Sequence, residues 1–452
     1  MPVIFTPAAT SGGKASSFAL KGRAAAAAAR KFLLFMGVPF KRSKGLTDNI
    51  LQPEKSIVNR AREHARYDIR TPMNRRTLFK HSLGLLGAGY ARASQVDEPT
   101  HRPRGVGALK ITDAKAIRRN NYLYYQIFTD GGVTGVGEPS PSNELAGEFL
   151  EKVLKPLIVG MDAFAIEKIW EKMYVSTYKE RGQSVSIAIS GVDIALHDIV
   201  GKALGVPVYQ LLGGLYRSKI PVYASFTSRE RSPVEQAKLC AKMVEQGFTG
   251  TKIKIAARQG ADGPPAFPDE DRVREARAAI GPKVKLMVDA NSGYSVPHAI
   301  RMGRFLESQD VFWFEEPVPF WDYAATAEVA KALDIPIAGG EQDHTRWDFQ
   351  KIISAKALDI LQADVTKAGG LSECRKIAAL IDAAGLYYVP HDTSGEIGLV
   401  ACMHLVAATP VCRYLHEYIM EERKNPPVVK EPLIPRNGEI EVPRKPGLGI
   451  EV

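Results

Sequence analysis

The chain has 452 residues, 45% hydrophobic and 24% charged, enough for a large catalytic domain with a companion and an ample core. Its four cysteines (Cys240, Cys374, Cys402, Cys412) show no CxxC or metal-finger spacing, which argues against a disulfide framework, and no apolar run reaches the roughly 18 residues of a membrane span. The net charge of +10 sits in the head: residues 1–93 carry +13 and residues 94–452 carry −3, so the folded part offers no basic footprint for nucleic acid.

Residues 1–72 are a basic, low-complexity extension ("GRAAAAAARKF", then Ser/Gly/Lys/Arg-rich text) with no sustained periodicity, a composition that predicts disorder. From Met73, "MNRRTLFKHSLGLLGAGYARASQ" sets Arg75 and Arg76 before a short apolar stretch and an A-x-A site at Ala91–Ala93. That order, over 73–93, resembles a twin-arginine export signal. Such a signal belongs at an N-terminus, so Met73 is the expected start and the protein is expected to be exported or periplasmic. A basic extension ahead of a cytoplasmic enzyme is the alternative.

Residues 94–215 predict an α+β unit. "LKITDAKAIRRN" and "YLYYQIFTDGGVTGVGEP" read as an antiparallel meander with a turn at Asp130-Gly131-Gly132. Helical text follows, ending in the long "SVSIAISGVDIALHDIVGKALG", stopped by Gly205 with Pro207 beyond. Over 216–420 the pattern changes to short apolar strands alternating with amphipathic helices: "IPVYASF", "GTKIKIA", "VKLMVDAN", "VFWFEEP", "IPIAGGE", "LDILQADV", "LYYVPH" and "RYLHEY". Eight such units predict an α/β fold of the (β/α) barrel type. No strand runs into GxGxxG or GxxxxGK[ST], which removes the usual nucleotide-binding alternatives. Residues 421–452 are expected to return to the α+β unit.

Chemistry in such a barrel gathers at the C-terminal strand ends. In "GTKIKIA", Lys252 and Lys254 alternate with Ile253 and Ile255, so both ammonium groups point to one side. Two like charges in a core strand are unfavourable unless they are used; the neighbour lowers the pKa of Lys254 and makes it a base, while Lys252 can hold a carboxylate. Asp289 and Asn291, Glu315 and Glu316, and Glu341 end the next three strands, converging as hard oxygen donors suited to Mg²⁺. Asp364 and His391 end strands six and seven, where a carboxylate would orient the imidazole. Strand eight, "HEY", offers His416 or Glu417.

These motifs resemble the mandelate racemase subgroup of the enolase superfamily over about residues 108–452. "AISGVDIALHDIVGKALGVPVYQLLGG" resembles its capping-domain signature, and "KIK", "DAN", "FEEP", "GGE", "ADVTKAGG" and "VPH" follow its barrel motifs in order. The resemblance implies Asp289, Glu315 and Glu341 as Mg²⁺ ligands, with Glu316 left out. It implies Lys254 and the His391–Asp364 pair as acid/base groups, Lys252 and Asn291 as substrate contacts, and Glu417 as a hydrogen-bonding partner of the substrate. The lysine carried on strand six by the muconate cycloisomerase relatives is replaced here by Asp364. The implied partners are a small sugar-acid carboxylate and further copies of the chain in a homo-oligomer.

Taken singly, each residue has a bland reading: Asp364 could cap a helix, Glu341 could pair with Arg346, and His197 and His404 read as structural histidines. His344 fits a loop better than the substrate. Subgroup members with this residue set look like acid-sugar dehydratases, and the chain around Gly339–Gly370 is similar to galactonate-type dehydratases, so the resemblance implies an acid-sugar dehydratase that forms a 2-keto-3-deoxy acid. A racemase or epimerase is the alternative from the same residues, and "DAN" in place of a His-bearing motif puts galactonate in doubt. A non-catalytic barrel is the alternative of another class.

Overall fold

The computed structural model describes residues 107–119, 122–257, 263–393, 396–420 and 427–452. The low-complexity head and the twin-arginine segment expected over 1–93 lie outside the described residues.

Strands β1 (Ile111–Arg119), β2 (Tyr122–Thr129) and β3 (Thr134–Gly137) form the antiparallel meander, with Gly132 at φ +76° in the turn. Short helical segments at Ala146–Phe149, Leu150–Leu154 and Lys155–Ile158 follow, then two longer helices, α1 (Ile166–Ser176) and α2 (Gln183–Leu204), and α2 ends at Gly205 in the left-handed conformation that glycine adopts without strain. By length and mean hydropathy, 1.4 over its best window, α2 could cross a membrane, but 94% of that window is buried inside the protein. It is a core helix whose Ser190, Asp193, His197 and Asp198 side chains have protein partners. Strand β3 lies directly on it, because a Cβ at Gly137 would stand 2.0 Å from the Gly191 carbonyl oxygen.

All eight expected barrel strands form: β4 (Lys219–Ser225), β5 (Gly250–Lys254), β6 (Lys285–Asp289), β7 (Val311–Glu315), β8 (Ile337–Gly339), β9 (Ile360–Leu361), β10 (Tyr387–Tyr388) and β11 (His416–Ile419). They pair in parallel in the order β10-β9-β8-β7-β6-β5-β4-β11. The ends of that path, β10 and β11, are consecutive in the chain, as an eight-stranded barrel requires. Between successive strands run α3 (Pro233–Glu245), α4 (Asp269–Ile280), α5 (Val296–Ser308), α6 (Tyr323–Ala332), α7 (Thr345–Ala355), α8 (Gly370–Ala383) and α9 (Glu396–Ala408). Helix α3 starts with a full capping box, Ser232 with Glu235. Strand β12 (Glu439–Glu441) pairs antiparallel with β4, and the Leu448 amide then donates to Asp198 of α2 at 2.9 Å. All four cysteines are buried thiols.

Alternation along the strands fills the barrel interior. Tyr223, Met287, Trp313, Ala338, Ile360, Val389 and Leu415 form a buried apolar cluster. Two residues further along β4, β6, β7 and β11 come Ser225, Asp289, Glu315 and Glu417 on the same face, and His391 follows Val389 in the same way. Past their last residues, β5, β6 and β7 turn through positive φ at Ala256 (60°), Asn291 (40°), Ser292 (65°) and Glu316 (41°). Only Asn tolerates this readily; held conformations of this kind cost about 1–3 kcal/mol each and cluster at functional sites. Backbone bonds hold them in place, Ser292 N–H to Glu316 O at 2.8 Å and Ala290 N–H to Glu315 O at 3.0 Å.

Candidate active site

The two lysines of β5 do share one face, and each is matched by acids from other strands. Lys252 is fully buried, with Nζ 2.6 Å from Glu315 Oε1 and 2.8 Å from Glu417 Oε1. Lys254 pairs with Asp289 Oδ2, its register partner on β6, which in turn sits opposite Glu315 on β7. Burial pulls both ammonium groups down, but the Glu315 and Glu417 carboxylates hold Lys252 well above the ordinary lysine range. For Lys254, burial and Lys252 push down while Asp289 pulls up, and the net is upward. Without a bound metal ion, the Asp289 carboxylate in contact thus outweighs the neighbouring ammonium, opposite to the depression expected from Lys252.

Asp289, Glu315 and Glu341 are all buried, and one oxygen from each lies within 4.8 Å of the others. Their remaining valences are fixed by donors. The Asn291 backbone N–H donates to Asp289 Oδ1 at 2.7 Å and its side-chain Nδ2 to Oδ2 at 3.2 Å. Glu315 Oε2 accepts from Gln362 Nε2 at 2.8 Å and Trp313 Nε1 at 3.1 Å. Glu341 Oε1 accepts from Gln342 Nε2 at 2.7 Å. Burial pushes the Glu315 carboxyl up, Lys252 opposes it, and the result is about 7. Burial also pushes Glu341 up, but His391 and Lys367 outweigh it and hold the group well below the usual carboxylate range.

His391 lies between two acids. Its Nδ1 is 2.7 Å from Asp364 Oδ2, and its Nε2 is 2.6 Å from Glu341 Oε2 without the alignment of a hydrogen bond. Burial alone would lower the imidazole pKa; Glu341, Glu417 and the Asp364 contact raise it to about 10 against the opposition of Lys367. Asp364 is fixed in turn by Thr366, whose N–H and Oγ1 both reach Oδ1 at 2.7 Å. Asp364 therefore orients the histidine and caps no helix, since α8 begins at Gly370.

The structure thus brings Lys252, Lys254, Asp289, Asn291, Glu315, Glu341, Asp364, His391 and Glu417 together at the C-terminal end of the barrel. Asn291 is engaged by Asp289 and by Arg229, whose Nη2 donates to Asn291 Oδ1 at 2.6 Å. Of the "HEY" pair it is Glu417 that faces inward, accepting from Ser225 Oγ at 2.7 Å and the Asp392 N–H at 3.1 Å. His416 points to the other face, where burial holds its imidazole down at about 3. Glu316 lines a small cavity with Tyr323, Gly339 and Leu358. Arg346 pairs with Glu373 at 3.3 Å rather than with Glu341. His197 and His404 are buried against the carbonyls of Asp193 and Leu448, and His344 lies 3.5 Å from Asp348 at the start of α7. Sequence reasoning missed Ser225, Arg229, Trp313, Gln342, Gln362 and Thr366. The period of two could have found two of them, since Trp313 and Gln362 stand two residues before Glu315 and Asp364 and share their face.

Residues 235–452 match the family model described as enolase C-terminal domain-like, and residues 108–213 match the mandelate racemase / muconate lactonizing enzyme N-terminal domain. The arabinonate dehydratase of Saccharolobus solfataricus is 35% identical over 332 residues, covering 72% of this chain and 87% of the relative. The D-galactarolactone cycloisomerase of Agrobacterium fabrum is 36% identical over 351 residues, 74% and 89% of the two chains. Among solved structures, a mandelate racemase/muconate lactonizing protein from Paracoccus denitrificans, complexed with magnesium, superposes with a TM-score of 0.71 at 31% identity, covering 76% of this chain and 96% of that one.

Proposed function

As this chain belongs to the mandelate racemase / muconate lactonizing enzyme group of the enolase superfamily, we propose that it is a Mg²⁺-dependent acid-sugar dehydratase. One observation carries the reading: the carboxylate triad lies between two candidate acid/base groups, Lys254 in contact with Asp289 on one side and His391, held by Asp364, in contact with Glu341 on the other. The donor set suits a hard cation, being three buried carboxylates with oxygens near one another and no sulfur or neutral imidazole among them. Asp289, Glu315 and Glu341 would hold Mg²⁺, which would supply positive charge beside the substrate carboxylate.

The residues then divide the work. Lys252, locked between Glu315 and Glu417, adds fixed positive charge beneath the carboxylate oxygens where negative charge develops. One of Lys254 and His391 removes the α-proton. The C–OH bond at the β-carbon breaks with a proton delivered to the leaving oxygen, water departs, and the enol becomes a 2-keto-3-deoxy acid. Asp364 keeps the His391 ring oriented through the transfer. Lys254 serves as a base only after Asp289 no longer holds its proton.

The test is incubation of the protein and Mg²⁺ with a panel of aldonates and aldarates, in H₂O and in D₂O. A 2-keto-3-deoxy product supports dehydration. Deuterium at the α-carbon with inversion and no keto acid replaces it with racemisation, and no exchange on any acid together with no bound metal leaves a non-catalytic barrel.

A further inference from the structure

Glu341 differs from its two companions in how its carboxylate is held. The donor is the next residue in the chain, Gln342, whose amide reaches Glu341 Oε1 at 2.7 Å. An amide that donates must itself be fixed, or the carboxylate it holds will turn. That anchor comes from outside the barrel. Gln183, the first residue of α2, donates from Nε2 to the Gln342 carbonyl oxygen at 3.0 Å and to Gln342 Oε1 at 3.3 Å. Gln342 is thereby gripped by backbone and side chain at once, leaving its own Nε2 aimed at Glu341.

Helix α2 is a rigid place to anchor, since Val185–Gly201 are all buried. It is also docked on the barrel a second time, on the turn that follows Asp364. Ser190 Oγ accepts from the Gly369 N–H at 2.9 Å, and Asp193 accepts from Ser372 N–H at 3.0 Å and Ser372 Oγ at 2.6 Å. The approach there is so close that a Cβ on Gly370 would stand 2.5 Å from Asp193. One helix therefore takes its position from the Asp364 arm of the site and passes it to the Glu341 arm.

We propose that Gln183 and Gln342 are positioning residues, a two-step relay by which α2 holds the Glu341 carboxylate in place for a divalent cation. The inference rests on the metal reading above, and neither glutamine is assigned any contact with substrate. Partners of this kind, one step behind a ligand, typically change metal affinity 10- to 100-fold when removed.

The experiment measures Mn²⁺ binding to the substrate-free full chain, by the electron paramagnetic resonance of the free ion. It compares the wild type with Gln342→Met, Gln183→Met and the double variant, and records the metal-free melting of each. The relay predicts about 10-fold weaker Mn²⁺ binding in each single variant. The double variant should bind no more weakly than Gln342→Met, because Gln183 acts only through Gln342. Wild-type affinity in either single variant, or losses that multiply in the double, overturns the relay while leaving the metal site standing. Weakened binding matched by early metal-free melting makes the glutamines scaffold and overturns it as well. Failure of the wild type to bind Mn²⁺ removes the metal reading and the relay with it.

Discussion

The lower and upper layers of the barrel interior are built by the same strands, two residues apart, and their chemistry is opposite. Tyr223 underlies Ser225, Met287 underlies Asp289, Trp313 underlies Glu315, Val389 underlies His391 and Leu415 underlies Glu417. Below, fully burying each large side chain contributes about 1.5–3 kcal/mol. Above, every buried ion costs several kcal/mol of lost hydration, offset only as far as its partners are in place. The upper layer meets this with ion pairs that cross strands: Lys252 with Glu315 and Glu417, Lys254 with Asp289, His391 with Glu341 and Asp364. The lower layer specifies the barrel, and the upper layer draws on that stability to keep reactive groups dry and close.

The largest effect that would separate the layers is on turnover. His391→Asn removes a proposed acid/base group and should lower kcat on the identified substrate by about 10²–10⁴-fold, with Lys254→Met close behind. Val389→Ala, one layer down, should leave kcat within about threefold while lowering stability. Both variants at His391 and Lys254 turning over as the wild type would show that the upper layer is scaffold too.

Stability should respond in both layers, for different reasons. Met287→Ala opens a cavity and should cost about 2–5 kcal/mol in urea denaturation. Lys252→Met should cost a similar 3–5 kcal/mol, because it strands two buried carboxylates without a counter-charge. The sharper measurement is the double variant Lys252→Met/Glu417→Gln, which removes one of the stranded charges and should recover part of the loss. No added substitution of that kind should rescue Met287→Ala. A double variant less stable than Lys252→Met alone would mean that Lys252 matters for its packing, not its charge.

Much of this was legible in the sequence because both layers obey a period of two and a strand-by-strand order. The eight strands and the inward-facing ionisable residues of β5, β6 and β7 follow from "GTKIKIA", "VKLMVDAN" and "VFWFEEP". What the text could not show is pairing between distant segments. Lys252 reads as a like-charged neighbour of Lys254, and only its contacts with Glu315, 63 residues away, and with Glu417 turn its proton affinity upward. Gln362 and Gln342 carry no charge to draw notice, and Gln183 looks like any first residue of a helix. His416 and Glu417 are adjacent letters, and the choice between them is made by the inward register of β11 against β4.

The smallest effect expected is on the pH dependence of the metal-free protein, and its sign distinguishes the layers again. The lower layer does not titrate near neutrality, so of the two layers only the upper one adds a slope there, alongside shifted groups elsewhere such as Asp343, raised to about 6. Glu315 is raised from 4.5 to about 7, mainly by burial, and His391 is raised from 6.5 to about 10, where its acidic neighbours overcome burial. A raised folded pKa gives stability that is complete below the unfolded value and is lost as pH rises through the folded one. Both groups therefore act in the same direction: stability lost as pH rises through about 7 for Glu315, and through about 10 for His391. The melting temperature of chelator-treated protein should fall between about pH 4.5 and about pH 10, with Glu315 acting up to about 7 and His391 from 6.5 to about 10, and saturating Mg²⁺ should flatten the fall by favouring the ionised carboxylates. In His391→Asn the upper part of the slope should shrink, and in Glu315→Gln the lower part. A metal-free protein that gains stability across this range would mean that the ion pairs of the upper layer are not what holds those protons.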